Sequence, residues 1–323
     1  MNSHKQILLS MFNELQGEYL SGQQIADQLG CSRTAVWKHI ESLREDGYEI
    51  EAIRNKGYRI INRPNSVKEY DIATGLDTSK IGQNCFYFET VASTQKIAHE
   101  LAQKGEPDGT LVLADQQQSG RGRMDRSWFS PKGTGIWMSL ILRPKLLPSQ
   151  TPQLTLLTAV AVAQAIEEVT GLTPSIKWPN DVLINGKKCT GILTELQAES
   201  DQVRYLIIGV GINVNQVKED FPEELRHLAT SLKMISEQEI SRSRLVQEIL
   251  KRFERLYDLY LNQGFKPIKL LWESYSNTLG TTINAKTMHG TIQGKAMGLT
   301  DEGVLILEDF NGNQHKIYSA DIS

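Results

Sequence analysis

A chain of 323 residues, 40% hydrophobic and 23% charged, has the length for two or three domains and the composition of an ordinary globular protein. Its formal net charge of −3 excludes a generic polyanion binder and confines any nucleic-acid surface to a local patch. Cys31, Cys85 and Cys189 are scattered and form no CxxC pair, which argues against structural zinc or a disulfide framework. With no signal-peptide core at the start, and no run near the roughly 20 apolar residues of a membrane span, the expectation is a cytoplasmic protein without membrane contact.

Residues 5–15 place Ile7, Leu8, Met11, Phe12 and Leu15 on one helical face. Ser21 is a plausible cap for a short helix ended by Gly30, and Ser32 caps the next, whose buried stripe is Val36, Ile40 and Leu43. This second helix presents Arg33, Thr34, Trp37 and Lys38, types suited to phosphate and base-edge contact. Residues 48–53 alternate as a strand, 54–57 make a basic turn with Arg54 and Lys56, and 58–61 return. Helices followed by a hairpin with a basic tip predict a DNA-binding winged helix-turn-helix; a protein-docking module of the same shape is the alternative.

Residues 62–66, polar and proline-containing, mark a linker. Beyond it, strands and helices alternate. A strand at 86–88 leads into a helix running to about Lys104, with Ser93, Thr94 and Gln95 at its mouth, where free N–H groups hold a polar ligand or are simply capped. Strands at 111–114 and 135–142 bracket the loop QQQSGRGRMDRSW, residues 116–128. Its arginines 121, 123 and 126 offer two-point contacts to phosphate or carboxylate, and Gly120 and Gly122 offer positive φ and close approach. A solvated basic loop is the plainer alternative.

After a helix over 154–169 comes a second polar constellation, Lys177, Asn180, Asp181 and Lys188, around a hairpin turned by Asn185 and Gly186. Lysine there neutralises phosphate, and Asn and Asp suit hydrogen bonds and a hydrated magnesium ion; solvated hairpin decoration is the alternative. Gly209 and Gly211, in and just after a strand at 203–209, indicate close backbone approach, to a ligand or to a neighbouring strand. A helix spans 240–261, and short strands from 282 to 318 predict a small SH3-like β-barrel. The fold expected is α+β multidomain: a winged helix-turn-helix (1–65), a central α/β domain with a mixed sheet (66–275) and the barrel (276–323).

No Ser-His-Asp or Cys-His arrangement, Walker pattern or hydrolytic carboxylate pair is evident. Arginine and lysine without a protein nucleophile fit electrostatic stabilisation of a transferring phosphoryl or adenylyl group, as when a substrate carboxylate attacks the α-phosphorus of ATP.

The motifs QQSGRGR, KWPND (177–181), KCTGIL (188–193) and GVGINVN (209–215) resemble, in kind and order, the biotin protein ligase family. With the N-terminal winged helix the resemblance is to its bifunctional bacterial form, which also represses the biotin operon, and it covers essentially the whole chain. A lipoate-type ligase on the same fold and a repressor that merely senses a metabolite are the rivals.

The resemblance implies that biotin and MgATP form biotinyl-5′-adenylate, and that biotin then passes to a lysine of a biotin carboxyl carrier protein domain. It implies biotin contacts from Ser93, Thr94, Gln95, Gln117, Arg121, Gly122, Arg123 and Lys188, with Arg123 and Lys188 as the catalytic cations. Arg123, Trp128, Asn180, Asp181 and Asn213 would serve ATP and the adenylate, with Asp181 near magnesium. It further implies a homodimer, formed when adenylate is bound, on two-fold operator DNA. The chain departs from the family at Gln95, where Asn is frequent, and at Met124, where some relatives carry arginine.

Overall fold

The computed structural model describes residues 4–15, 17–199, 202–288 and 290–322. Helices α1 (His4–Glu14), α2 (Gly22–Leu29) and α3 (Arg33–Glu45) precede a hairpin of β1 (Glu49–Ile53) and β2 (Gly57–Asn62). Local chemistry sets these bounds. Ser21 and Gln24 form a capping box on α2, Gly30 ends it at φ 61°, and the Ser32 hydroxyl accepts from the Ala35 N–H at 3.2 Å. Leu8, Leu9, Ile25, Val36, Ile40 and Leu43 form the core of this unit.

The connection to the rest of the chain is built, not slack. A short helix α4 (Glu69–Ala73) puts Tyr70 into the winged-helix core and Ile72 into the main core. The Tyr48 hydroxyl donates to the Asp71 carboxylate across the junction. Asn65 accepts from the Arg242 backbone N–H at 2.9 Å through Oδ1, and from the Arg242 guanidinium through its carbonyl. The same guanidinium, only 3% exposed with its residue, donates to Asp115 at 2.8 Å and to the Gly135 carbonyl at 3.2 Å.

The central unit is β3 (Cys85–Val91), α5 (Thr94–Gln103), β4 (Leu111–Gln117), β5 (Gly135–Leu142), α6 (Thr151–Thr170), β6 (Pro174–Lys177), β7 (Asp181–Ile184), β8 (Lys187–Glu199), β9 (Gln202–Asn213), α7 (Leu232–Ser236), α8 (Arg242–Gln263) and α9 (Lys266–Tyr275). Among the described residues its strands make a seven-stranded sheet in the order β3-β4-β5-β9-β8-β7-β6, parallel only between β3 and β4. Strand alternation divides the side chains between two faces. Ile136, Met138, Ile192, Ile208, Val210 and Ile212 join α6, α8 and α9 in one large core. On the other face Val112, Ile141, Tyr205 and Ile207 pack against Ile97, Ala98, Leu101 and Ala102 of α5 and Phe88 of β3. Past the end of α5 that face is covered by the Trp128 side chain over Gly191 and Gly211.

The C-terminal strands β10 (Thr282–Thr287), β11 (Gly290–Leu299), β12 (Leu305–Asp309), β13 (Gln314–Ile317) and β14 (Asp321–Ile322) form an antiparallel five-stranded sheet in the order β13-β12-β11-β10-β14. Ile283, Ala285, Leu305 and Leu307 extend the main core into it. No helix among the described residues is long and apolar enough to cross a membrane.

Candidate active site

The part of this face beyond α5 is floored by glycine. Gly191 lies opposite Gly211 and Leu193 opposite Gly209 on the paired strands β8 and β9. A Cβ on Gly211 would sit 2.3 Å from Trp128 Nε1, one on Gly191 2.8 Å from Trp128 Cζ3, and one on Gly209 2.6 Å from Gln95 Oε1. The close approach expected at Gly209 and Gly211 is therefore to side chains of the site itself.

At one end of the floor the N-terminus of α5 enters. The Ser93 side chain makes no capping bond; Gln117, from the end of β4, supplies the acceptor instead. Gln117 Oε1 takes the Thr94 N–H at 2.9 Å and the Thr94 hydroxyl at 3.1 Å, and its Nε2 donates to Ser130 Oγ at 2.9 Å. Beneath them Gln95 Nε2 donates to the Leu193 and Ile207 carbonyls, and Ser139 bridges Gln95 and Thr94. Ser139 is the one polar side chain in the run Ile136–Leu142, and that contrast was the signal available for finding it.

At the other end stand the cations. Lys188 Nζ lies 2.7 Å from Asp181 Oδ1 and 5.4 Å from the centre of the Trp128 ring. Arg123 donates to Asn180 Oδ1 at 3.1 Å and to Ser319 Oγ at 2.7 Å. Burial pulls the Arg123 guanidinium below the ordinary arginine pKa while Asp181 and Asp321 push back, and it stays a cation throughout the physiological range. Asn180 is held by the Ile192 carbonyl at 2.8 Å, and Asn213 by the Thr230 carbonyl at 3.1 Å.

The arginine loop folds over this end as a small hairpin, with Gly122 N–H on the Arg126 carbonyl at 2.7 Å and Trp128 N–H on the Gly120 carbonyl at 2.9 Å. Its positive φ values fall on Met124 and Asp125, both 54°, and not on Gly120 or Gly122. Gly120 is required for contact instead: a Cβ there would lie 2.5 Å from the Trp128 carbonyl oxygen. The loop is pinned to the C-terminal sheet by Arg123 on Ser319 and by Arg126 on Asp321, whose carboxyl the Arg126 contact holds below its usual pKa.

Together these groups line one cavity of about 450 Å³, within the roughly 300–1,000 Å³ of small-ligand sites. Ser93, Thr94, Gln95, Gln117, Arg121, Gly122, Arg123, Trp128, Asn180, Asp181, Lys188 and Asn213 all lie on its wall. Lys177 does not, and Lys187 is exposed. Sequence reasoning missed the opposite wall, Phe221, Leu225, Leu228 and Ala229, which is joined to Lys188 by Lys188 N–H on the Leu228 carbonyl and Thr230 N–H on the Lys188 carbonyl. It also missed the part played by Asp321. Among the described residues no three His, Cys, Asp or Glu side chains gather as a metal-binding group.

Some distance along the chain, α3 presents Arg33, Thr34, Trp37 and Lys38 on an exposed face, and Arg54 and Lys56 are exposed at the wing tip. That pairing of a helix face and a basic hairpin is the geometry of a groove-reading module.

A winged helix joined to a mixed sheet, whose glycine floor links a neutral polar pocket to a lysine and an arginine, defines a class: a DNA-binding protein carrying an acid-activating ligase domain. Family comparisons narrow it. Residues 87–213 match the biotin/lipoate A/B protein ligase family, 5–59 an HTH domain, and 278–323 the biotin protein ligase C-terminal domain. The chain is 58% identical over 315 residues to the bifunctional ligase/repressor BirA of Bacillus spizizenii, covering 98% of this chain and 97% of that one. It is 28% identical over 297 residues to the Escherichia coli K12 protein of the same description, covering 90% and 89%. A biotin protein ligase from Aquifex aeolicus, solved with biotin and ATP, superposes with a TM-score of 0.64 at 34% identity, over 75% of this chain and 98% of that one. This chain belongs to the bifunctional biotin ligase/repressor family.

Proposed function

We propose that the cavity activates biotin with ATP through the residues assembled there, and that the protein couples this chemistry to transcription. The protein is a biotin protein ligase and repressor: it forms biotinyl-5′-adenylate, transfers biotin to a lysine of a carrier protein, and binds DNA through its winged helix. In the first step a biotin carboxylate oxygen bonds to the α-phosphorus and the bond to the β-phosphate breaks, releasing pyrophosphate. In the second, the acceptor amine attacks the acyl carbon and AMP leaves. Neither step needs a nucleophile from this chain.

Ser93, Thr94, Gln117, Arg121 and Gly122 take the biotin head in the neutral pocket. Its carboxylate then points along the glycine floor toward Lys188, which sits between acid and α-phosphate, and Arg123 covers the remaining phosphate charge. Trp128 supplies a flat surface for adenine, and Asn180 and Asn213 hold the nucleotide. Magnesium comes with ATP; Asp181 is the carboxylate placed to meet it, as its Oδ1 has no hydrogen-bond donor beyond the pairing with Lys188. Adenylate held under the arginine loop favours a homodimer, which suits a protein with one reading helix per chain and a two-fold operator.

The observation that carries this reading is that Lys188 and Arg123 line the same cavity as the neutral pocket, with Lys188 over the Trp128 ring. Pyrophosphate exchange into ATP tests it: biotin should support exchange, and lipoate or no acid should not. Exchange with lipoate alone would transfer the site to another acid, and absence of exchange would leave only a sensor. Sedimentation with biotin and ATP should show a dimer that biotin alone does not produce.

A further inference from the structure

Gln95 lines the cavity, yet every hydrogen-bonding atom of its side chain is engaged by protein. It is 7% exposed. Its Nε2 faces the Leu193 carbonyl at 3.3 Å and the Ile207 carbonyl at 3.4 Å, on adjacent strands. Only an NH2 group can face two carbonyls, so Oε1 must point the other way, toward Ser139 Oγ at 3.0 Å. There is room for this because position 209 is glycine; a Cβ would lie 2.6 Å from that same Oε1.

The direction of each proton follows from that anchor. Ser139 has one hydroxyl hydrogen and gives it to Gln95. Across 2.9 Å, Ser139 can then only accept from Thr94. Thr94 also has one hydrogen, with two acceptors for it, Ser139 Oγ and Gln117 Oε1 at 3.1 Å. Neither Ser139 nor Gln117 then donates to the Thr94 hydroxyl, and Thr94 lines the cavity.

We propose that Gln95, seated over Gly209, is a positioning residue that orients the Ser139–Thr94 hydroxyl pair so that Thr94 offers an acceptor to an N–H of the biotin ureido ring. The proposal rests on the assignment of this end of the cavity to the biotin head. Without the amide, Ser139 turns its hydrogen onto Thr94 and fills a lone pair the ligand needs. Loss of Gln95 is therefore harmful through Ser139, and removing Ser139 as well should undo part of the harm. A side chain that only supported the fold would lower stability without raising the biotin KM selectively.

The test is steady-state pyrophosphate exchange by the full-length protein. Gln95→Leu should raise the KM for biotin about tenfold, with the KM for ATP and kcat within about threefold of wild type. Adding Ser139→Ala to it should recover most of the lost biotin affinity. An unchanged biotin KM, an equal rise in the ATP KM, or a double variant worse than Gln95→Leu alone would overturn the proposal. If circular dichroism shows that Gln95→Leu does not fold, Gly209→Ala decides, because its methyl group displaces the same amide. It should raise the biotin KM selectively, and no change refutes the idea. Thr94→Val separates the two levels of inference. If it leaves biotin KM unaltered, the biotin end has been misplaced; if it raises KM while the Gln95 and Gly209 variants do not, only the orienting role fails.

Discussion

On β9, Leu206, Ile208, Val210 and Ile212 belong to the core shared with α6 and α8, while the residues between them, Tyr205, Ile207, Gly209 and Gly211, belong to the other face. One strand thus serves two surfaces whose requirements differ. The covered face is filled with branched aliphatic side chains at close packing. The open face is filled only as far as α5 reaches, at Tyr205 and Ile207, and then drops to glycine where the cavity begins. Neighbouring positions should therefore fail in different ways: Ile208, Val210 and Ile212 through stability, Gly209 and Gly211 through chemistry.

The largest effects should come from the cations above the glycine floor. Lys188→Ala and Arg123→Ala should each cut biotin-dependent pyrophosphate exchange by about 10²–10³-fold, the usual scale for removing a donor from a developing charge. Urea unfolding should change little, and wild-type exchange rates would refute the roles given to both. On the covered face, Ile208→Ala should cost roughly 2–5 kcal/mol of stability, with kcat per folded molecule preserved. A large fall in kcat without loss of stability would collapse the distinction between the faces. Gly211→Ala, three residues on, should raise the KM for ATP about tenfold by displacing Trp128, on the scale of one lost ligand contact, while unfolding stays near wild type.

The smallest effect concerns the loop's tie to the C-terminal sheet. The Arg126–Asp321 pair is well exposed, so after solvent screening Asp321→Asn should lower stability by at most about 1 kcal/mol. Asp321 has a carboxyl pKa below its ordinary value, so its contribution is present above the unfolded carboxylate pKa and fades as pH falls through the folded one. The wild-type advantage should accordingly shrink in acid, and an advantage that grew there would contradict the pairing.

Much of this was legible in the chain because it depends on local chemistry. Ser21, Gly30 and Ser32 bound their helices, and the apolar run from Gly135 to Leu142 announced a buried strand. The cationic loop and the Lys177–Lys188 stretch were recognisable as two halves of a site from residue type and order. What stayed hidden depends on distant partners. Gly120 and Gly122 read as sites of positive φ and close approach; Gly120 does approach the Trp128 carbonyl closely, but the left-handed backbone is carried by Met124 and Asp125. Ser93 and Thr94 read as a possible self-made cap, but the acceptor comes from Gln117, more than twenty positions away. The wall from Phe221 to Ala229 has no periodicity of its own. It exists because Lys188 offers backbone partners to it.

The Asn65–Arg242–Asp115 contact governs how the protein can be dissected. A fragment that begins after Asn65 exposes nothing obvious, since Asn65 lies in a polar stretch that looks dispensable. Yet it strips a buried guanidinium of the Asn65 carbonyl, and the Arg242 backbone N–H of the Asn65 amide oxygen, beside the strands that flank the arginine loop. Poor ligation by such a fragment would then measure a buried guanidinium left with only Asp115 and Gly135, and not a catalytic contribution from the winged helix. Starting the fragment a few residues earlier, inside β2, keeps Asn65 in the chain while removing α1, α2, α3 and β1. The proper seam between gene control and enzyme therefore lies on the DNA side of the linker.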